Sequence, residues 1–461
     1  MVEQATTDLE RVQIAEQRAH NLCWTLRRPA DAEAVLDDTY RQLTAPSARH
    51  LLAAPRAAIC ADLGRPRQAV QAATEALAEA SLPDHLVVLA SWGLVGGLGM
   101  LGRADEIGAA SSRGYAAVAR APNAAVMLMG LVYRHMIGLK LAGYLDEAER
   151  IAVEARREVQ DSWFPHSSLI LLGQAALAQG RVARALGWLR EAHISLTPLG
   201  DLGGWLFRCR VSLTQALAMA GQVSEAKQAL AEVDENDHPA FAFLGPEVML
   251  ARAWVAAAEG AVSLARRLAR QAVDLAADAG QLAYEVLALQ TAVAFGDRGA
   301  GGQLTTLASR VDGPRAGLAA RFAPALEAED AAELAAVSED FERVGDFAGA
   351  VDAAAHAAIA YRHQDRRGSA LGCSTRAEAL AKQCGLNTPA LRQASERLPL
   401  SDREREVVML LGEGLSSPAI AERLTLSRRT VEGHIYRAMA KTGTSSREEL
   451  AGLLRAGRPS P

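Results

Sequence analysis

Aromatic residues make up only 5% of this 461-residue chain, cysteine occurs five times, and lysine only at Lys140, Lys227, Lys382 and Lys441. Each scarcity excludes something. Few aromatics beside abundant Ala and Leu disfavour β-sheet and favour helix. Cys23, Cys60, Cys209, Cys373 and Cys384 form no C-x-x-C pair and no zinc-like spacing with His, so reduced, mostly buried thiols are expected and no metal site. No lysine follows a glycine, which removes the phosphate-cradling loop G-x-x-x-x-G-K-S/T. A long uncharged run, 86–102, is short for a bilayer span and glycine-rich, so it reads as a buried helix. The opening MVEQATTDLE is acidic, unlike a secretory leader. A cytoplasmic protein with no membrane partner is expected. With no nucleophile elbow, metal cluster or paired acids in a loop, neither catalysis nor a cofactor is expected.

What is present is a spaced signal: an apolar helix, a Gly turn, then a small residue five positions on. It appears at Gly64/Ala69, Gly143/Ala148, Gly180/Ala185, Gly221/Ala226, Gly260/Ala265 and Gly345/Ala350. Gly102 keeps the turn with Ile107 in the fifth position, and Gly296 begins a degenerate copy. From Gly64 to Gly296 the intervals are 38, 41, 37, 41, 39 and 36 residues. Glycine supplies the left-handed residue that ends the first helix, and the small residue lets the second helix cross it closely. One such hairpin cannot bury its apolar stripe alone, so copies stack into a solenoid. The segment resembles tetratricopeptide-like repeats, with a period longer than the usual 34 and without the full aromatic signature. The fold expected is all-α, with a solenoid over 1–390 that senses an effector or docks a partner. Trp163-Phe164-Pro165-His166 falls in an inter-repeat turn, where the Trp is expected to plug a seam.

The pattern changes after Cys384, where Gly385, Pro389 and Pro399 punctuate the chain. Ser401-Asp402-Arg403-Glu404 is a capping box followed by apolar Val407, Val408, Leu410 and Leu411. A short helix capped at Ser416 or Ser417 follows, with Pro418 in its first turn. After Thr425-Leu426, Ser427 can cap a third helix, and the serines at 445–446 a fourth bearing Leu450, Leu453 and Leu454. Four short helices with a tight turn between the second and third make a helix-turn-helix. The net charge of −5 hides an asymmetry: after Ser427 there are seven basic residues and three acidic.

LSDREREVVMLLGEGLSSPAIAERLTLSRRTVEGHIYRAMAKTGTSSREEL resembles the DNA-binding domain of LuxR-type regulators, over about 395–458, leaving 459–461 as a disordered tail. The likeness rests on Leu-Ser-x-Arg-Glu, the Gly-Leu-Ser before the second helix, Ile420-Ala421, and Ser-x-x-Thr-Val-x-x-His in the third. It implies sequence-specific binding of double-stranded promoter or operator DNA, as a homodimer through the last helix, making Leu450, Leu453 and Leu454 dimer candidates. Ala419 replaces the usual Glu, and Thr442 and Thr444 replace a Leu and a Val, which predicts a slightly less stable domain.

On a helical wheel of the third helix, Val431, Ile435, Ala438, Met439, Thr442 and His434 form a core stripe. The opposite face carries Arg429, Gly433, Tyr436, Arg437 and Ala440, with Glu432 at its edge. Small residues flanked by arginines suit insertion into a major groove about 12 Å wide. Glu432 is placed to accept from a cytosine amino group, Gly433 to permit close approach, and Tyr436 to contact a base or phosphate; the resemblance puts these three toward bases. Arg428, Arg429, Arg437 and Lys441 read as phosphate contacts, with Ser416, Ser427 and Thr430 adding hydroxyl or helix-end bonds. His434 reads as structural. The alternatives are a helical scaffold or adaptor, and the C-terminal half of an ATP-dependent regulator whose NTPase module this sequence does not contain. A phospho-acceptor receiver is disfavoured by the lack of an alternating β/α pattern.

Overall fold

The computed structural model describes residues 7–121, 125–158, 166–395, 400–442 and 444–455, without the side chains of 125–126 and 452–455. The described residues form helices and no strand. From Asp8 to Cys384 the helices run as antiparallel pairs, among them Asp84–Leu101 with Ile107–Arg120 and Gly245–Ala258 with Val262–Asp278. Every glycine of the repeat signal turns its hairpin as expected. Gly64, Gly102, Gly143, Gly180, Gly221, Gly260, Gly296 and Gly345 have φ between +71° and +94°. The following amide closes each turn: Arg65 N donates to Cys60 O at 2.9 Å and Ala261 N to Ala256 O at 2.9 Å. The residues five positions on, from Ala69 to Ala350 and including Ile107, are fully buried at the helix crossings.

The helix pairs do not leave an open channel, because the chain returns onto itself. The carbonyl of Gly102 accepts from Asp312 N at 2.7 Å, that of Gln179 from Phe347 N at 2.9 Å, and that of Met219 from Asn387 N at 2.7 Å. Arg315 is buried and donates to the carbonyls of Lys140 and Leu141. The second winding therefore seals the glycine turns of the first with backbone hydrogen bonds. A Cβ on Gly180 would lie 2.5 Å from Ala348 N, so here glycine is needed for close approach as well as for its φ.

The helix Pro389–Ser395 packs its buried Ala390 and Ala394 against Ala354, Ala355, Ala358 and Ala377, so the repeat region runs past the expected end at 390. The last four helices, Asp402–Gly412, Ser417–Leu424, Arg428–Thr442 and Arg447–Arg455, have a separate core built from Leu400, Val407, Val408, Ile420, Val431, Ile435, Ala438 and Leu450. Among the described residues two helices are long and apolar enough to cross a membrane, Asp84–Leu101 and the stretch Pro239–Ala258, and 72% of each window is buried inside the protein. Trp163, Phe164 and Pro165, expected at an inter-repeat seam, lie outside the described residues, as do 459–461.

Candidate nucleic-acid interface

The capping box at Ser401 forms as its sequence requires: Glu404 N donates to Ser401 Oγ at 3.3 Å and Ser401 N to Glu404 Oε2 at 2.9 Å. Ser416, not Ser417, caps the second helix, accepting from Ala419 N at 3.5 Å. Ser417 is buried instead and accepts from Arg447 at 3.0 Å, which ties the last helix to the second. The turn between the second and third helices is set by Thr425 in the left-handed conformation (φ +55°). Ser427 then caps the third helix, accepting from Thr430 N at 3.1 Å, and its hydroxyl meets that of Thr430 at 2.7 Å. Both hydroxyls are exposed.

Val431, Ile435 and Ala438 of the third helix face inward, and Arg429, Glu432, Tyr436, Arg437 and Ala440 face solvent. Tyr436 is 75% exposed with the whole chain in place, so the solenoid does not cover this face. A Cβ on Gly433 would meet nothing nearer than Arg437 Nη1 at 3.7 Å. Packing within the protein therefore does not require glycine in this helix, where it costs about 1 kcal/mol relative to alanine. The glycine opens the exposed face.

The cations of this face are held to different degrees. Arg428 pairs with Glu432 at 2.9 Å, so a proposed phosphate contact and a proposed base reader are partners here. Lys441 donates to Glu404 Oε2 at 2.8 Å, and Arg437 lies 3.6 Å from Glu404 Oε1. Burial pushes the Glu404 carboxyl up, but Lys441 and the Ser401 bonds outweigh it and hold it below the usual carboxylate range. Arg437 also approaches His434 Nδ1 at 3.0 Å. Burial, then the Arg437 charge, keep the His434 imidazolium disfavoured, which suits a structural histidine. Among the described residues Arg429 forms no ion pair. Thr442, one of the two polar replacements, bonds Ala438 O at 2.8 Å and the Thr444 hydroxyl at 3.1 Å, so the pair satisfies itself.

Residues 398–454 match the family model of the bacterial regulatory proteins of the luxR family. They form a LuxR-family helix-turn-helix domain. A putative HTH-type transcriptional regulator of Mycobacterium bovis is 47% identical over 62 residues, 13% of this chain and 7% of that protein. The DNA-binding transcriptional activator DevR/DosR of Mycobacterium tuberculosis is 42% identical over 65 residues, 13% of this chain and 30% of that protein. The chain thus spans less than a third of the length of these relatives. A solved Rap protein complexed with competence and sporulation factor overlays 73% of this chain and 98% of its own at 12% identity and a TM-score of 0.48, a likeness too loose to argue from.

One expectation for the LuxR domain changes. Leu450 is fully buried in the domain's own core, packed with Val407, Val408 and Ile435, so it is not free to face a second copy. The side chains of Leu453 and Leu454 lie outside the described set. The sequence also gave no hint of where the domain docks. Glu406, which reads as an ordinary charged helix position, is buried; its Oε1 accepts from Ser263 N at 2.5 Å and its Oε2 from Arg403 at 2.6 Å. It supplies the solenoid helix Val262–Asp278 with a carboxylate at its electropositive start. Asp402 lies 3.9 Å from Arg266 nearby. The domain is therefore held by its first helix.

Proposed function

We propose that the protein is a transcriptional regulator that reads DNA with the exposed face of Arg428–Thr442 and receives its signal in the solenoid. The observation that carries this reading is the uncovered face itself: Tyr436 and Glu432 exposed beside an otherwise unexplained Gly433, opposite an intact core stripe. In this reading Glu432, Gly433 and Tyr436 meet base edges, where donors, acceptors and methyl groups distinguish the four pairs. Arg428, Arg429, Arg437 and Lys441, with Ser416, Ser427 and Thr430, hold phosphates and fix the register. Groove entry requires Arg428 to exchange Glu432 for a phosphate, which frees the carboxylate to accept from a base. The protein works in the compartment that holds the DNA, and no catalytic step is proposed. Dimerisation on paired half-sites is proposed through the last helix without Leu450.

Selection of bound duplexes from a random pool by the full chain tests the reading. Enrichment of one sequence class is expected. An unenriched pool from protein that binds duplexes at low salt leaves only a phosphate-binding surface and ends the base-reading proposal.

A further inference from the structure

Between the two windings of the solenoid lies a partly open cavity of about 90 Å³, lined by the helices Ala125–Ala142, Ser167–Ala178, Trp205–Met219, Gly245–Ala258, Leu282–Ala294, Pro314–Glu327 and Phe347–His363. Two cations and three carboxylates line it: Lys140, Arg315, Glu247, Asp346 and Asp352. Four of these neutralise one another. Lys140 donates to Glu247 at 2.8 Å, with Tyr284 bonding the same oxygen at 3.0 Å. Arg315 lies 3.4 Å from Asp346, whose other oxygen caps Gly349 N at 2.8 Å.

Asp352 is the remainder. It is 2% exposed, its Oδ1 has no hydrogen-bond partner, and the Thr388 side chain bonds its carboxyl. The Gln174 side chain also leaves Oε1 unpartnered at the cavity wall while its amide donates to Ser212 at 3.0 Å. A buried acceptor without a donor is destabilising, more so when charged, so a native site that retains one is explained by something that donates to it. Leu250, Trp254 and Phe322 give one part of the wall an apolar surface, beside the polar side chains of Ser212, Gln215, Gln290 and Thr291.

We propose that this cavity binds a small organic amine, its ammonium group donating to Asp352 and its apolar body lying against Trp254 and Phe322. The lining gives Asp352 no cation of its own, both unpartnered atoms can accept, and a cavity of this size suits a ligand of a few heavy atoms. This rests on the reading of the solenoid as the sensing region and names the chemistry sensed. Burial lifts the carboxyl of Asp352 to about 7, with Asp346 raising it further and the Thr388 bond and Arg392 opposing, so an arriving ammonium group favours its ionised form. The site has a route outward: Thr388 caps the helix Pro389–Ser395 through Leu391 N at 3.2 Å, and Arg392 of that helix donates to Ala257 O at 2.6 Å beside the Gly260 turn.

Calorimetry on the full chain with n-butylamine, and with 1-butanol as its neutral isostere, tests the proposal. Saturable binding of the amine is expected, with at least tenfold weaker binding in Asp352→Asn and to 1-butanol. Ala294→Leu, which fills the cavity wall without touching a charge, is expected to abolish it and serves if Asp352→Asn fails to fold. Absent amine binding, or binding indifferent to both variants, overturns the proposal. DNA binding by the same preparation, scored in parallel, reports separately on the regulator reading.

Discussion

The Met409 methyl lies 2.6 Å from the point that a Cβ on Gly260 would occupy. Gly64, Gly102, Gly143, Gly180 and Gly221 are covered in the same way by Gln281, Val311, Arg315, Ala348 and Asn387, all from the later winding. The LuxR domain thus takes the next place in a series that the solenoid's own chain begins. It docks as one more repeat would.

Gly260→Ala is expected to destabilise the protein by more than Gly280→Ala. Both glycines have left-handed backbones, φ +85° and +68°, and each substitution costs about 1–2 kcal/mol of backbone strain. A Cβ at Gly280 meets nothing within 4 Å, whereas one at Gly260 must turn aside the flexible end of the Met409 side chain, a small added cost. Denaturant unfolding of both variants, and of Gly260→Ala with Met409→Ala, measures the difference; equal losses would remove the docking contact from the account.

Glu406→Ala leaves Ser263 N and Arg403 without their buried acceptor, at a cost of about 1–3 kcal/mol. The expected outcome is hydrogen exchange at the Ser263 amide accelerated at least tenfold, with Val431 and Ile435 still protected. Unchanged exchange at Ser263 would mean that the first helix is not what holds the domain.

Gly433→Ala is expected to stabilise the LuxR domain by up to about 1 kcal/mol, since nothing crowds the added methyl. The same change is expected to weaken specific DNA binding or shift its preferred sequence. Stabilisation with unaltered binding would deny Gly433 a place against the bases.

Arg429→Ala is expected to weaken binding to every duplex and flatten its salt dependence, the mark of a lost phosphate contact. Glu432→Ala is expected instead to alter sequence preference, and by releasing Arg428 to leave non-specific affinity equal or higher. Binding isotherms over a salt series on two or more sequences separate the two outcomes.

Asp352→Asn is expected to change the pH profile of stability. The native carboxyl titrates near 7, against 3.8 for an ordinary aspartate, so between those values the folded chain holds a proton that the unfolded chain has lost. Stability then falls as pH rises through this window, by about 4 kcal/mol at most at 1.36 kcal/mol per unit. The asparagine variant lacks that slope and is the more stable form above pH 7. Parallel slopes in the two proteins would place Asp352 in a wetter site than its burial indicates.

The hairpin architecture was readable wherever glycine makes the turn, because few other residues accept its backbone angles. It was lost at Glu329 and Asp365, which adopt φ +51° and +55° in equivalent turns, so the repeats they close carry no glycine. The core stripe at Val431, Ile435 and Ala438 was equally readable, since helical periodicity alone sorts it from the exposed face. Docking was not, because it rests on Glu406 and Met409 meeting a surface more than a hundred residues away, and no local pattern encodes such a meeting. The dimer expectation at Leu450 failed for a related reason: an apolar stripe on a short helix says that it will be covered, not by what.

Repeat proteins ordinarily unfold piecemeal, each hairpin leaning only on its neighbours. This one has sewn the carbonyls of Gly102, Gln179 and Met219 to residues 168 to 210 positions later. Its early hairpins emerge from synthesis with their seams unsealed and wait for the later half of the chain. The repeat region is then expected to gain and lose its structure in one step, so that a disturbance anywhere along it is felt at both ends.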